Sequence, residues 1–569
     1  MEKRAILAAV LMAGLLILYQ FLFVKTPPPQ NAPPEERRQE EAAPSQAKAG
    51  SLPVAEAVPP SPKEAPAVPE QKARIETPLY RAVVSSDGGR LDRWDLIYRG
   101  IKPMIVPGEL GPAGLTVAES GGPPRRIQMA ISPDALSLTQ DPGHGEMKLV
   151  GEDGFGLRVT EVVRFRADSY VVEHDITVEN RHEMARSADI GLTWIAPVVW
   201  PKEPQPAFQG QHPVRVVKVV GGSARREELA KLVDFRGAGQ WVGLESEWYL
   251  TAFIPKTGGF QLVEAKRSET RSGSDKPVES VDIGVRAAIA SLAPGAAWKG
   301  QVLTYTGPKE YGRLRAIGYD LDKSIYFGGF PIPQAYGGLP MEWLAVPILW
   351  VMDHIYAYIG NYGVAIILLT VITKVLFFPL TIKSMTSMKA MQVLQPQVNA
   401  IRSKYKNDPQ RLQKETMELY RENKVNPLGG CLPMVVQIPI FYALYVALSV
   451  SVELQSQPFI CFGRIFGLDL WICDLAAHDP TYVLPVLMGA SMFIQQRMTP
   501  VMGDPRQAKM MLFMPVVFTF MFLNLPSGLV LYWTLSNVLQ IAQQKYIERM
   551  SRKPEVGKLE KGPRVPKKA

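Results

Sequence analysis

Apolar residues in this chain are gathered into a few long runs, and that distribution decides what it can fold into. One run fills residues 5–24, and most of the others crowd between Trp343 and Ile547. About 20 apolar residues in helical form cross a hydrocarbon layer roughly 30 Å thick, so the sequence predicts an integral membrane protein. Lys3 and Arg4 precede the first run, which ends at Lys25, Thr26 and Pro27 without a small-x-small cleavage site. Residues 1–25 are therefore expected to remain as an uncleaved signal-anchor helix with its amino end inside.

Residues 26–73 are rich in Pro, Ala, Glu and Gln, as in PPPQNAPPEERRQEEAAP. Such a composition cannot bury enough surface to fold and reads as a disordered tether. From 74 to 319 the texture changes to short alternating stretches bounded by Gly, Pro, Asn and Asp. In YVVEHDITVEN, Val172, His174, Ile176 and Val178 share one face. VRVVKVV, WVGLESEWYLTAFI, VDIGVRAAIASL and QVLTYTG continue the pattern, which predicts an antiparallel β-sandwich. His174 is read as a packed histidine of that sandwich.

A connector at 320–358 contains MEWLAVPILWVMDHIYAYIG, whose tryptophans and central Asp353 predict a helix lying on the outer interface. Five further spans are expected at 359–382, 428–450, 480–497, 510–524 and 527–547, followed by a basic tail at 548–569. Charge sets their direction. The loop 383–426 carries Lys383, Lys389, Arg402, Lys404, Lys406, Arg411, Lys414, Arg421 and Lys424 against Asp408, Glu415, Glu418 and Glu422, whereas 451–479 has Arg464 as its lone base. Lysine and arginine mark the cytoplasmic side, which puts 383–426 and the tail inside and the β-sandwich and 451–479 outside. Apolar spacing at Met391, Leu394, Val398, Ile401 and Tyr405, then Asp408 as cap before Pro409, predicts a helical hairpin in the inner loop. Its basic face suits RNA or acidic lipid as well as plain solvent.

The cysteines Cys431, Cys461 and Cys473 are too few for a disulfide framework. Cys461 and Cys473 fall in the same outer loop, and the sequence leaves open whether they are bridged. The histidines show no metal spacing and no GxxxxGK[ST] loop is present. No cofactor is expected, and bound nucleotide is not expected to power any work done here.

TVITKVLFFPLT, residues 370–381, places Lys374 among aliphatic and aromatic residues. On a helical wheel it shares a face with Thr370 and Thr381. A lysine at a helix centre costs about 2.5–3.5 kcal/mol in lipid, so it should face protein or water, unless its stem snorkels to the helix end. The last span adds a second polar stripe, Trp533, Asn537, Gln540 and Gln544, while Gln437, Ser491 and Gln495 contribute from two other spans. Several polar stripes around one cation predict the wall of a shared wet cavity. Spans 480–497 and 510–524 are short enough to thin the bilayer beside them. The same region holds Met488, Met492, Met498, Met502, Met510, Met511, Met514 and Met521, side chains that adapt to varied apolar partners or fill a core.

KVNPLGGCLPMVVQIPIFYALY (424–445), FPLTIKSMTSMKAMQVLQP (378–396), DPTYVLPVLMGASMFIQQRMTP (479–500) and MPVVFTFMFLNLPSGLVLYWTLSN (514–537) closely resemble the YidC/Oxa/Alb family of membrane insertases. The resemblance covers the whole chain in the Gram-negative arrangement. It implies six transmembrane helices, five of them forming an α-helical insertase core at 359–547, plus an all-β periplasmic sandwich, in the bacterial inner membrane. It also implies a groove open to cytoplasm and lipid and closed outside. Lys374 stands where the family usually has arginine, which keeps the charge but loses the bidentate fork. By resemblance Thr370, Gln437 and Ser536, with Asn537 and Gln540 of the polar stripe, would line the groove. Ile438, Pro439, Phe441, Tyr532 and Trp533 would form an apolar slide, with Trp533 replacing a common tyrosine. The implied partners are nascent membrane proteins, Sec translocon components, membrane lipids, and the ribosome through the hairpin and tail. No bond would be made or broken.

Two rival readings make different demands. An ion or solute transporter using the polar cavity requires inverted repeats and broken midplane helices, which the sequence does not display. A sugar-modifying enzyme requires paired acids or histidines converging in the sandwich.

Overall fold

The computed structural model describes residues 70–551 except 105–111, 119–121, 123, 139–142, 155, 199–213, 272–276, 331–337, 407, 424, 427–431, 466–467 and 499–504. The anchor at 1–25, nearly all of the tether and the tail beyond residue 551 lie outside the described residues.

Alternating sequence builds the β domain. The strand Val171–Asn180 buries Val172, Ile176 and Val178 on the face that a two-residue period assigns them. It belongs to a nine-stranded sheet ordered Ser223–Glu228, Arg215–Val220, Trp241–Glu245, Tyr249–Gly258, Ala297–Pro308, Val171–Asn180, Leu157–Arg166, His144–Glu152 and Met129–Ser132. A six-stranded sheet runs Phe235–Gly237, Leu262–Arg271, Pro277–Leu292, Arg186–Pro197, Pro112–Ala118 and Arg125–Arg126. A five-stranded sheet runs Ile101–Pro103, Leu91–Ile97, Tyr80–Ser85, Lys72–Glu76 and Ala135–Ser137, with a parallel contact between the last two. Trp94, Trp241, Ile283, Val285 and Tyr305 are buried in one apolar cluster fed by all three sheets, as sheet-on-sheet packing requires. His174 is held from both sides, Nδ1 at 2.8 Å from Glu161 and Nε2 at 3.1 Å from Thr304. Both ring nitrogens are engaged within the sandwich, which is the packed role expected of it.

Helices dominate the rest. After α1 (Tyr311–Ile317) come α2 (Glu342–Ile359), α3 (Tyr362–Leu376), α4 (Phe378–Lys404), α5 (Pro409–Glu422), α6 (Leu432–Val450), α7 (Val483–Met498), α8 (Pro505–Phe522) and α9 (Ser527–Ser551). The chain divides into two compact units, and residues 393–426 belong to the smaller. There Asp408 caps α5, its carboxylate accepting from the Arg411 backbone N–H at 3.0 Å with Pro409 opening the helix.

Among the described residues no single helix is long and apolar enough to cross a bilayer alone, but α3 and α4 meet that standard together, across a bend of 59°. The span expected to run unbroken over 359–382 is thus interrupted at Phe377. Pro379 has no N–H to offer the carbonyl one turn earlier, so the helix stops and restarts there. Large apolar side chains face outward on α3 (Ile372, Val375, Leu376), α7 (Val486, Leu487, Ile494) and α8 (Phe513, Phe520), which fits a hydrocarbon surrounding.

The loop after α6 folds over the first turn of α3. Cys461 and Cys473 are disulfide-bonded across the hairpin Ile460–Ile465 and Leu468–Ile472, which settles the pairing the sequence left open. Phe459 packs so closely on Gly363 that a Cβ there would sit 2.1 Å from its ring. Beside it Glu453 is partly covered and accepts from the Ser451 hydroxyl at 2.7 Å. Burial, reinforced by the negative charge of Asp353, raises the Glu453 carboxyl from its ordinary 4.5 to about 7. Burial also raises Asp353, which accepts from the Tyr362 hydroxyl at 3.0 Å. A raised carboxyl favours the folded loop in its protonated form, so that contribution is full below about pH 4.5 and disappears as pH climbs through 7. Allowing for the solvent that reaches Glu453, the loop should be about 1–2 kcal/mol more stable at pH 5.5 than at pH 8.5. Hydrogen exchange at 451–457, corrected for intrinsic rates, should report this difference, and Glu453→Gln should abolish most of it.

Candidate functional site

On α3 one face is exposed and apolar, with Val375 and Leu376 each 68 % exposed, while Lys374 turns the other way. Its ammonium donates to Gln540 Oε1 of α9 at 3.0 Å. No carboxylate among the described residues lies within ion-pair reach of it. Gln543, also on α9, donates through Nε2 to the Lys374 carbonyl at 3.4 Å, next to the break that ends α3. α9 therefore holds Lys374 by both its head and its backbone.

Lys374 opens onto a cavity of about 720 Å³. Gln437, Ile438 and Phe441 come to it from α6, and Tyr532, Trp533, Ser536, Asn537, Gln540 and Gln544 from α9. α4 contributes Thr381, Ser384, Met385, Met388, Lys389 and Gln392, α7 contributes Met492, Gln495 and Met498, α8 contributes Phe518, and Glu548 of α9 completes the lining. Two of the α9 amides also tie that helix to α7: Asn537 donates to Ser491 Oγ at 3.1 Å and Gln544 to the Met498 carbonyl at 2.7 Å. The polar stripe thus does two jobs, gluing helices and lending polar groups to a wall of the cavity.

Part of the wall is aromatic. The Phe441 ring lies 4.4 Å from that of Trp533, nearly perpendicular, and Trp533 in turn meets Phe522 at 4.8 Å. Two expected residues stand off the wall. Thr370 is fully buried one turn from Lys374 and spends its hydroxyl on the Ile366 carbonyl at 2.6 Å. Pro439 lies within α6 between the lining residues Ile438 and Phe441 without facing the cavity itself. Toward the start of α3 and α9, Ile366, Leu369, Leu444, Met488, Leu529 and Val530 are buried in the apolar cluster.

The chemistry available is recognition. Ammonium, amide and hydroxyl groups offer donors and acceptors to a hydrophilic chain, and the aromatic wall beside them accepts apolar side chains. Among the described residues no three His, Cys, Asp or Glu side chains are grouped to hold a metal.

Comparison with known proteins assigns the chain. Residues 354–554 match the family model described as 60Kd inner membrane protein, and 72–351 match the YidC periplasmic domain. A protein of Syntrophus aciditrophicus named membrane protein insertase YidC is 36 % identical, over 97 % of this chain and 100 % of its own length. The chain belongs to the YidC family. A Geobacter sulfurreducens protein of the same name is 38 % identical over 83 % of this chain and 85 % of its own length. A solved YidC insertase with its first transmembrane domain resolved aligns with 84 % of this chain and 92 % of its own at 19 % identity and a TM-score of 0.35. The two family matches and the curated relatives make this a YidC-like fold, with a strand-rich periplasmic domain and a helical carboxy-terminal region of an inner membrane protein.

Sequence reading missed Gln543 of this YidC-family site and, from the cavity lining, Ser384, Met385, Met388, Lys389, Gln392, Phe518 and Glu548. Gln543 stands three residues after Gln540, and the helical period that linked Asn537, Gln540 and Gln544 could have found it. The two methionines lay in a segment assigned to the hairpin, so nothing in the sequence pointed them at the groove.

Proposed function

We propose that this chain inserts and folds integral membrane proteins in the bacterial inner membrane, alone or together with the Sec translocon. The observation that carries the reading is Lys374, with no carboxylate within ion-pair reach among the described residues, on the wall of a cavity lined both by amides and by the rings of Phe441 and Trp533. A hydrophilic segment of a nascent protein enters the cavity and is attracted to the ammonium while its apolar helix passes the aromatic wall into lipid. Hydrophobic transfer drives the process at about 25 cal/mol per Å² buried, and the membrane potential adds about 2.3 kcal/mol per acidic charge per 100 mV. No nucleotide and no bond chemistry enter.

In this reading six helices cross the membrane: the anchor at 5–24, the bent α3–α4 pair, α6, α7, α8 and α9. Both termini lie in the cytoplasm and the β domain in the periplasm, in accord with the basic loop 383–426. The hairpin and basic tail are the surfaces offered to a ribosome. The break at Phe377 is a feature a transporter would share, but a transporter needs a second broken helix in a related repeat, and among the described residues α3 with α4 is the one bent pair.

The test is reconstitution. The full chain in liposomes should carry a short-tailed membrane protein into protease-protected form, and liposomes without it should not. Equal protection in both would overturn the reading.

A further inference from the structure

The turn that carries Arg99 is one place where the β domain meets the helical region. Arg99 sits in the turn between the strands Leu91–Ile97 and Ile101–Pro103, with a backbone φ of 50°. Its guanidinium projects into the short turn that follows α6. Nη1 donates to the carbonyls of Val452 at 3.4 Å and Gln455 at 3.0 Å, and also to that of Glu453. With the Gln457 amide oxygen turned toward it, Nε and Nη2 add contacts at 2.9 and 3.2 Å. Tyr249, also of the β domain, donates its hydroxyl to Gln455 Oε1 at 2.8 Å. The guanidinium lies 5.9 Å from the centre of the Tyr362 ring in the first turn of α3.

A helix ends in carbonyls without intrahelical donors and carries partial negative charge there, so a planar cation with a fork of donors is well suited to fix it. The carbonyls gripped here belong to the 3-10 turn Val452–Leu454 and to Gln455, which follow α6 directly, so holding that turn holds the end of the helix. Midway along α6 the Tyr442 ring packs against that of Phe330, 5.6 Å away. Phe441 of the cavity wall lies in the half on the Arg99 side of Pro439, and Gln437 and Ile438 lie in the other half, where Val436 is 37 % and Ile438 45 % exposed. Pro439 separates the halves and removes one hydrogen bond from the helix between them. α6 is therefore anchored at the end next to the β domain.

We propose that Arg99 is a positioning residue for the groove: by gripping the carbonyls after α6, the periplasmic domain sets the angle at which Gln437, Ile438 and Phe441 face the α9 wall. This gives the β domain a mechanical part in insertion, and it rests on the reading of the cavity as the insertion groove.

The experiment uses the full chain in nanodiscs and liposomes, with Cys431 changed to serine and spin labels at Val436→Cys on α6 and Val538→Cys on α9, both exposed positions. Arg99→Ala and Arg99→Lys should each broaden the label-to-label distance distribution and lower insertion by about three- to tenfold, since lysine lacks the fork. Hydrogen exchange in the β-domain strands should stay as in the parent, a result that mere loss of fold stability would not give. Gln455→Ala with Gln457→Ala, on the other side of the contact, should reproduce the broadening and stands in if the Arg99 variants fail to fold. Unchanged distances in Arg99→Ala, or full recovery in Arg99→Lys, would overturn the proposal. If the parent chain inserts nothing, the insertase reading falls, while the label distances still decide whether Arg99 holds α6.

Discussion

Replacing Lys374 by glutamate is expected to cut insertion of cargo with acidic translocated segments about 100-fold, while cargo with neutral segments loses far less. The ammonium lines the cavity with an amide as its partner, so its charge is available to a carboxylate that enters. Two opposite charges about 4 Å apart attract by about 4 kcal/mol at an effective dielectric near 20, and reversing one sign turns that attraction into repulsion. Water in an open cavity screens much of this, which leaves about 3 kcal/mol for the reversal and roughly half for Lys374→Ala. Lys374→Arg keeps the charge and should retain most activity. Protease protection of matched acidic and neutral cargo in the same liposomes checks the prediction. Equal losses for both cargo types, or Ala and Arg variants of equal activity, would remove the charge from the mechanism.

What the sequence conveyed here was mostly direction and periodicity. Alternation in 171–180 indicated which side chains of that strand face the core, because a strand has only two faces and burial selects one. Helical spacing likewise gathered Trp533, Asn537, Gln540 and Gln544 onto one stripe of α9. It could not say which neighbour each would meet: Gln540 reaches Lys374 on α3, while Asn537 and Gln544 reach α7. Thr370 shares the stripe of Lys374 but satisfies itself on its own helix, as a short hydroxyl in a buried turn tends to do. The break at Phe377 had a local signal in Pro379 that hydropathy alone overrode. The Arg99 contact had none, because a turn in the β domain and a loop beyond α6 are brought together by tertiary packing.

Gln540→Glu offers the sharper test, because it leaves Lys374 in place and changes only what its charge can do. A carboxylate at this position would stand about 3 Å from the ammonium, where Gln540 Oε1 now accepts at 3.0 Å. The pair would neutralise itself inside a partly desolvated wall, and acidic cargo would have to displace a partner already in contact. Insertion of acidic cargo should fall about tenfold or more, close to the loss in Lys374→Ala, while protein levels and folding stay intact. Gln540→Leu makes the opposite prediction for the same position: the ammonium loses an acceptor but keeps its charge, so activity should change by no more than about threefold. The double exchange Lys374→Gln with Gln540→Lys moves the cation from α3 to α9 without removing it from the cavity. If the groove works through a positive charge shared by its volume, the exchange should recover most of the lost insertion. If Gln540→Glu is as active as the parent, or the exchanged chain as poor as Lys374→Ala, the ammonium acts as a fixed point on α3 and not as the charge of a common wet space.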